Sequence, residues 1–117
     1  MTFLARVEDE WHDDVPVARL HGEIDASNVD DIGARLRSIV SNRSTALVVD
    51  LTGVSYLDSA GINLMFRLAE ELRGHQQRMA LVVREGSPIA RMISLTGLDA
   101  AVPTRAALEE ALAAARG

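Results

Sequence analysis

The chain has 117 residues, 48% of them apolar and 25% charged, with a net charge of -5; this length suits one compact domain, and no apolar run approaches the roughly 18–20 residues of a membrane span. There is no cysteine, and all 12 basic residues are arginine, so disulfides, thiolate metal sites, a Walker lysine, a Schiff-base lysine and a lysine general base are all excluded, and with them P-loop hydrolysis and aldolase or pyridoxal chemistry. Residues 1–31 carry 9 acidic side chains against 2 arginines, and residues 32–117 carry 8 against 10, an acidic first third that disfavours binding to a phosphate backbone.

The N-terminal stretch MTFLARVEDEW lacks the basic start, long apolar run and small-residue cleavage site of a secretory signal, so the expected location is cytoplasmic. Phe3–Glu8 and Val15–Glu23 read as the strands of a hairpin joined by the polar turn DEWHDD, with Trp11 at its tip and Pro16 near a strand start or on an edge. Gly22 suits a bulge or turn at the end of the second strand. Ser27 precedes Val29, Ile32, Leu36, Ile39 and Val40, spaced by three and four, and Asp30 follows it by three as in a capping box; a helix over Asn28–Val40 is expected.

ALVVDL, Ala46–Leu51, is a short β-branched apolar run of the kind covered on both faces in a parallel sheet. Its Asp50 must find hydrogen bonds if buried, and neighbouring loop N–H groups are the expected donors. The next helix carries Ile62, Met65, Phe66, Ala69 and Leu72 on one side, Arg67 and Glu70 or Glu71 outward, and Gly74 at its end. MALVV is a strand, and Ser87-Pro88 opens a helix that Gly97 closes. Ala100–Val102 reads as a weak last strand and Thr104–Ala115 as a terminal helix. Alternation of this kind predicts a mostly parallel α/β sheet with an antiparallel first strand. The loops GEIDAS and TGVSYLDS then leave parallel strands at one edge and bring Asp25 and Ser59 together there. The three histidines lack metal-ligand spacing.

SYLDSAGINLMF, Ser55–Phe66, sets a carboxylate beside a hydroxyl where strand gives way to helix. A nucleophile elbow is half met, since Gly61 is present but Leu57 stands at the first glycine position. The order serine, acid, histidine would need Ser59, Glu70 or Glu71, and His75, all on one helix. A phosphate-binding turn lacks a nearby cation before Arg67. Two readings stay open on the residues alone: Asp58 or Ser59 caps the helix, or Ser59 accepts a phosphate whose charge of about -2 a helix start tolerates and a partner rejects.

The motifs LHGEID (Leu20–Asp25), VVDLTGVSYLDSAGI (Val48–Ile62) and SLTGLD (Ser94–Asp99) occur in order, and over nearly its whole length the chain resembles the STAS domain of bacterial anti-sigma factor antagonists. The resemblance implies one STAS domain over residues 1–117: a mixed, mostly parallel sheet of four or five strands with an N-terminal β-hairpin and about four helices packed against it. It implies a non-enzymatic transcriptional regulator, without cofactor or metal, that binds an anti-sigma factor serine kinase and is released when Ser59 is phosphorylated, a serine phosphatase restoring it. By the same motif Asp25, Asp58, Ser59, Ala60, Gly61 and Asn63 form the partner-binding face. Neither direct nucleic acid binding nor membrane insertion is implied, and a weak homodimer is compatible with the family. Ala60 stands where serine or threonine is frequent, leaving Ser59 the only acceptor in this turn, and Asn63 where glycine is common. Relatives with this fold also serve as stressosome scaffolds or lipid-transport subunits, the alternative role without a phospho-switch.

Overall fold

In the computed structural model, which describes residues 5–41 and 43–117, five strands form one sheet in chain order: β1 (Ala5–His12), β2 (Val15–Ile24), β3 (Ala46–Leu57), β4 (Arg78–Val82) and β5 (Thr104–Arg105). β1 and β2 are antiparallel and every later pair is parallel. The helices are α1 (Val29–Ile39), α2 (Ser59–Gly74), α3 (Pro88–Thr96), the short α4 (Leu98–Ala101) and α5 (Leu108–Arg116). Side chains alternate across a strand, so Leu47, Val49 and Leu51 of β3 join Ile32, Leu36, Met65, Leu68 and Ile93 in the core under α1, α2 and α3. Ala46 and Val48 face the other way and, with Ala80 and Val82, pack under Ala111, Leu112 and Ala115 of α5. ALVVDL is therefore apolar on both faces because both are covered, each buried aliphatic contributing roughly 1.5–3 kcal/mol.

Several boundaries differ from the sequence reading. Phe3 and Leu4 of the expected first strand lie outside the described residues. The hairpin turn shrinks to Asp13-Asp14, with Asp13 at φ 59°; β1 continues through Glu10, Trp11 and His12 because they pair with Val17, Pro16 and Val15. Trp11 is thus an exposed strand residue and not the tip. Pro16, second in β2, precedes the β3 ladder, which begins at Val17, so its missing N–H costs no sheet bond. Asn28 and not Ser27 stands at the N-cap position of α1, without a side-chain bond to the helix, and the expected capping box does not form because the Ser27 hydroxyl is drawn to Asp25.

β3 does not end at Leu51. It runs to Leu57, because Gly53–Leu57 pairs with His21–Ile24. Beyond Leu51 the inward residues are Val54 and Leu57, three apart, with Thr52, Gly53, Ser55 and Tyr56 exposed. Register shifts beside Leu20 and after Gly22, which sits at φ 96°, replace strict alternation. At the C-terminal end the expected strand Ala100–Val102 is largely helical, as α4. The edge strand is instead Thr104–Arg105, and the last helix starts at Leu108 rather than Thr104. The three-residue apolar run is short enough to suit either state, and the burial of Leu98 and Val102 on the helix side decides it. Ser87 accepts from Ala90 N–H at 3.1 Å, Pro88 opens α3 and Gly97 closes it at φ 78°, as expected. No helix among the described residues is long and apolar enough to cross a membrane.

Candidate functional site

The site begins where β2 and β3 end. Their parallel ladder closes with Ile24 opposite Leu57, and the Asp58 N–H donates to the Ile24 carbonyl at 3.3 Å. Asp25 and Asp58 therefore leave neighbouring strands at the same edge, and Ser59 follows as the first residue of α2.

The Asp58 carboxylate turns back onto the helix it precedes. Its Oδ1 accepts from Ala60 N–H at 2.9 Å and from Gly61 N–H at 3.2 Å, filling two of the donors a helix start leaves open. Asp58, then, is the cap. Ser59 is exposed, and among the described residues its hydroxyl has no hydrogen-bond partner. Gly61 is buried at the base of the turn. A Cβ there would lie 2.2 Å from Leu57 Cδ1 and 3.2 Å from Ile24 Cγ2, so the missing side chain is what lets α2 rest on both strand ends. Gly61, named among the expected partner-binding residues, is thus buried beneath this edge.

Asp25 is organised in the same economical way. Its Oδ1 accepts from the Ser27 N–H at 2.8 Å and from the Ser27 hydroxyl at 2.5 Å. The bond from the Ser27 hydroxyl, followed by the Ser27 N–H, holds the Asp25 carboxyl below the ordinary aspartate value, since both donors favour the charged form. The turn is locked by Asn28, whose Oδ1 accepts from Asp25 N–H at 3.0 Å and whose Nδ2 donates to the Glu23 carbonyl at 2.8 Å. In the sequence Asn28 stands out only as the start of the expected helix. Its position just before a helix is the signal that could have found it.

Beside the serine, Val29 of α1 and Ala60, Asn63, Phe66 and Arg67 of α2 line a shallow depression of about 510 Å³. Ala60 and Phe66 are half-buried, while Asn63 and Arg67 are exposed. The structure thus collects Asp25, Asp58, Ser59, Ala60 and Asn63 on one edge. His75 lies just past the far end of the 16-residue α2, roughly 24 Å along the helix axis from Ser59, and no serine–histidine pair can form.

The remaining polar residues are elsewhere. Asp50 is buried on the α5 side of β3, where its Oδ1 accepts from Thr52 N–H at 2.9 Å and Thr52 Oγ1 at 2.7 Å. Arg19 Nε lies 3.5 Å from its Oδ2, a partner the sequence reading lacked. His12 sits 3.6 Å from Glu10 and His21 3.3 Å from Glu8. Among the described residues no cluster of three or more histidine, aspartate or glutamate side chains could hold a metal ion. A larger cavity, about 590 Å³, lies at the opposite end between the C-terminal turns of α1 and α2, where Arg37 and Glu71 pair at 2.8 and 3.0 Å.

The chain as a whole is similar to known proteins. Residues 6–111 match the family model of the STAS domain. The chain is 33% identical over 106 residues to the anti-sigma-F factor antagonist RsfB of Mycobacterium tuberculosis, covering 91% of this chain and 85% of that one. The crystal structure of an anti-sigma factor antagonist from Mycobacterium paratuberculosis superposes with a TM-score of 0.85 at 32% identity, over 97% of this chain and 95% of that one. The Bacillus cell fate determinant SpoIIAA in its phosphorylated form superposes with a TM-score of 0.68 at 26% identity, over 92% and 97% of the two chains. Sequence and backbone agree: the chain belongs to the STAS-domain family of anti-sigma factor antagonists.

Proposed function

We propose that this protein is a phosphorylation-gated interaction module. Unphosphorylated, it binds an anti-sigma factor serine kinase through the edge carrying Asp25, Asp58, Ser59, Ala60 and Asn63, and so frees a sigma factor for transcription. Transfer of a phosphoryl group to Ser59 ends that binding, and a serine phosphatase restores it. The protein itself catalyses nothing in this cycle. Cytoplasmic residence follows from such partners.

One observation carries the reading: Asp58, and not Ser59, caps α2, so the exposed hydroxyl has no structural duty and can be esterified without opening the helix. The added charge of about -2 would stand beside the carboxylates of Asp58 and Asp25, on a surface that presents a neutral hydroxyl to its partner. That a relative, SpoIIAA, is known in a phosphorylated form supports the same view. A constitutive scaffold or transporter subunit would leave Ser59 without consequence.

The test uses wild type, Ser59→Ala and Ser59→Asp as baits in lysate of the native cell, followed by affinity measurement with the retained kinase. A small ATP-dependent serine kinase held by wild type and Ser59→Ala and lost with Ser59→Asp is the expected result. Equal affinity of all three for the identified partner would refute the switch.

A further inference from the structure

The same turn raises a problem that its own residues must solve. The phosphoryl group of phospho-Ser59 would sit at a helix start whose Ala60 and Gly61 N–H groups are already taken by Asp58, and Ile62 N–H is bonded to the Asp58 carbonyl at 3.1 Å. These three backbone donors, of the kind that ordinarily receive a phosphate at such a place, are therefore spent. The carboxylates of Asp58 and Asp25 stand at the same edge, and Asp30 and Asp31 occupy the first turn of α1, whose Val29 borders the depression. Like charges raise the pKa of an acid, so this setting pushes the phosphate towards its singly charged form near neutral pH, where its second ionisation falls.

One turn along α2 stands Asn63, four residues from Ser59, with both side chains exposed. Positions four apart place their Cβ atoms about 5–6 Å from each other, and a helical side chain covers the turn N-terminal to its own Cα. The Asn63 amide therefore reaches back over the turn that begins at Ser59, on the face of α2 that also carries the Ser59 hydroxyl. Among the described residues its side chain makes no hydrogen bond, so its two N–H donors are available. Arg67, one further turn along the same face and also without an ion-pair partner among the described residues, adds positive potential behind it.

We propose that Asn63 is the anchor of the phosphoryl group: its amide donates to the phosphate oxygens of phospho-Ser59 and keeps the group doubly charged despite Asp58 and Asp25. This deepens the switch reading and rests on Ser59 being the modified residue. Asn63 is a positioning residue for a phosphomonoester dianion, and it sets how much charge the switch carries at neutral pH.

The experiment installs phosphoserine at position 59 during translation, in the full chain with Asn63 and in Asn63→Ala, and follows the second ionisation by ³¹P NMR. Alanine keeps the helix, being the best helix former, and circular dichroism verifies it. The expected result is a midpoint higher by roughly half a unit in Asn63→Ala, the size of one modest hydrogen bond. The Asn63 side-chain amide resonance of the parent should titrate with the same midpoint as the phosphorus. Identical midpoints in the two proteins, or an Asn63 amide that ignores the phosphate titration, would overturn the proposal. Because no kinase is involved, this outcome is independent of whether Ser59→Asp releases a partner.

Discussion

Replacing Asp58 separates the two duties that one carboxylate could perform at this edge. Asp58→Ala removes the acceptor of the Ala60 and Gly61 N–H groups, bonded at 2.9 and 3.2 Å, and leaves two donors of a half-buried turn without a protein partner. Loss of such a cap costs about 0.5–2 kcal/mol, and the double acceptance puts this case in the upper half, about 1–2 kcal/mol. For a domain of this size that corresponds to a fall in Tm of roughly 4–10 °C. Asp58→Asn keeps a side-chain carbonyl in the same place and forfeits only the charge at the helix start, about 0.3–1 kcal/mol. Urea denaturation with an unchanged m-value measures both, and amide hydrogen exchange at Ala60 and Gly61 should quicken in the alanine variant only. An alanine variant as stable as the parent, or an asparagine variant as damaged as the alanine one, would refute the cap. Should Asp58→Asn stay stable yet lose its partner, the charge is read by that partner.

Gly61→Ala places a Cβ 2.2 Å from Leu57 Cδ1, where Leu57 and Ile24 are both buried. The overpacking of about 1–3 kcal/mol exceeds the helix gain of about 0.5–1 kcal/mol, so the urea midpoint should fall; a rise would contradict the packing. Thr52→Val removes the hydroxyl donated to buried Asp50 at 2.7 Å, and a loss of about 1–2 kcal/mol is expected, read in the same titration. The Arg37 hydrogen bond holds Glu71 below the ordinary glutamate value against the opposing effect of burial. Its stabilisation is thus present above that value and vanishes as pH falls through the lowered one. Both side chains are about half exposed, so Glu71→Gln should cost no more than about 1 kcal/mol at neutral pH, and the difference from wild type should close in acid; a gap that widened in acid would reverse the sign. Ser27→Ala removes the main cause of the lowered Asp25 pKa, and the Asp25 carboxyl carbon should then titrate nearer the ordinary aspartate value by NMR.

Much of the fold was legible because short-range chemistry and burial agreed. Ser87-Pro88 and Gly97 bracket α3 as local cap rules require, and the apolar run Ala46–Leu51 announced a strand covered on both faces. The errors have a common cause. Thr52–Leu57 reads as a loop because its inward residues fall three apart, and it is a strand only because the bulged end of β2 is there to pair with it. Ser27 has the composition of a cap, yet its hydroxyl finds the Asp25 carboxylate first.

The sequence by itself determined the order of elements, the absence of lysine and cysteine chemistry, and the serine that follows an aspartate at a helix start, because composition, periodicity and local motif are properties of neighbours along the chain. Only the tertiary structure decided that Asp25 and Asp58 end adjacent strands at one edge and that Gly61 is the residue on which α2 rests against them. Each of those depends on the Ile24–Leu57 pairing and on α2 settling against it at Gly61, contacts between segments that the chain order alone does not bring together.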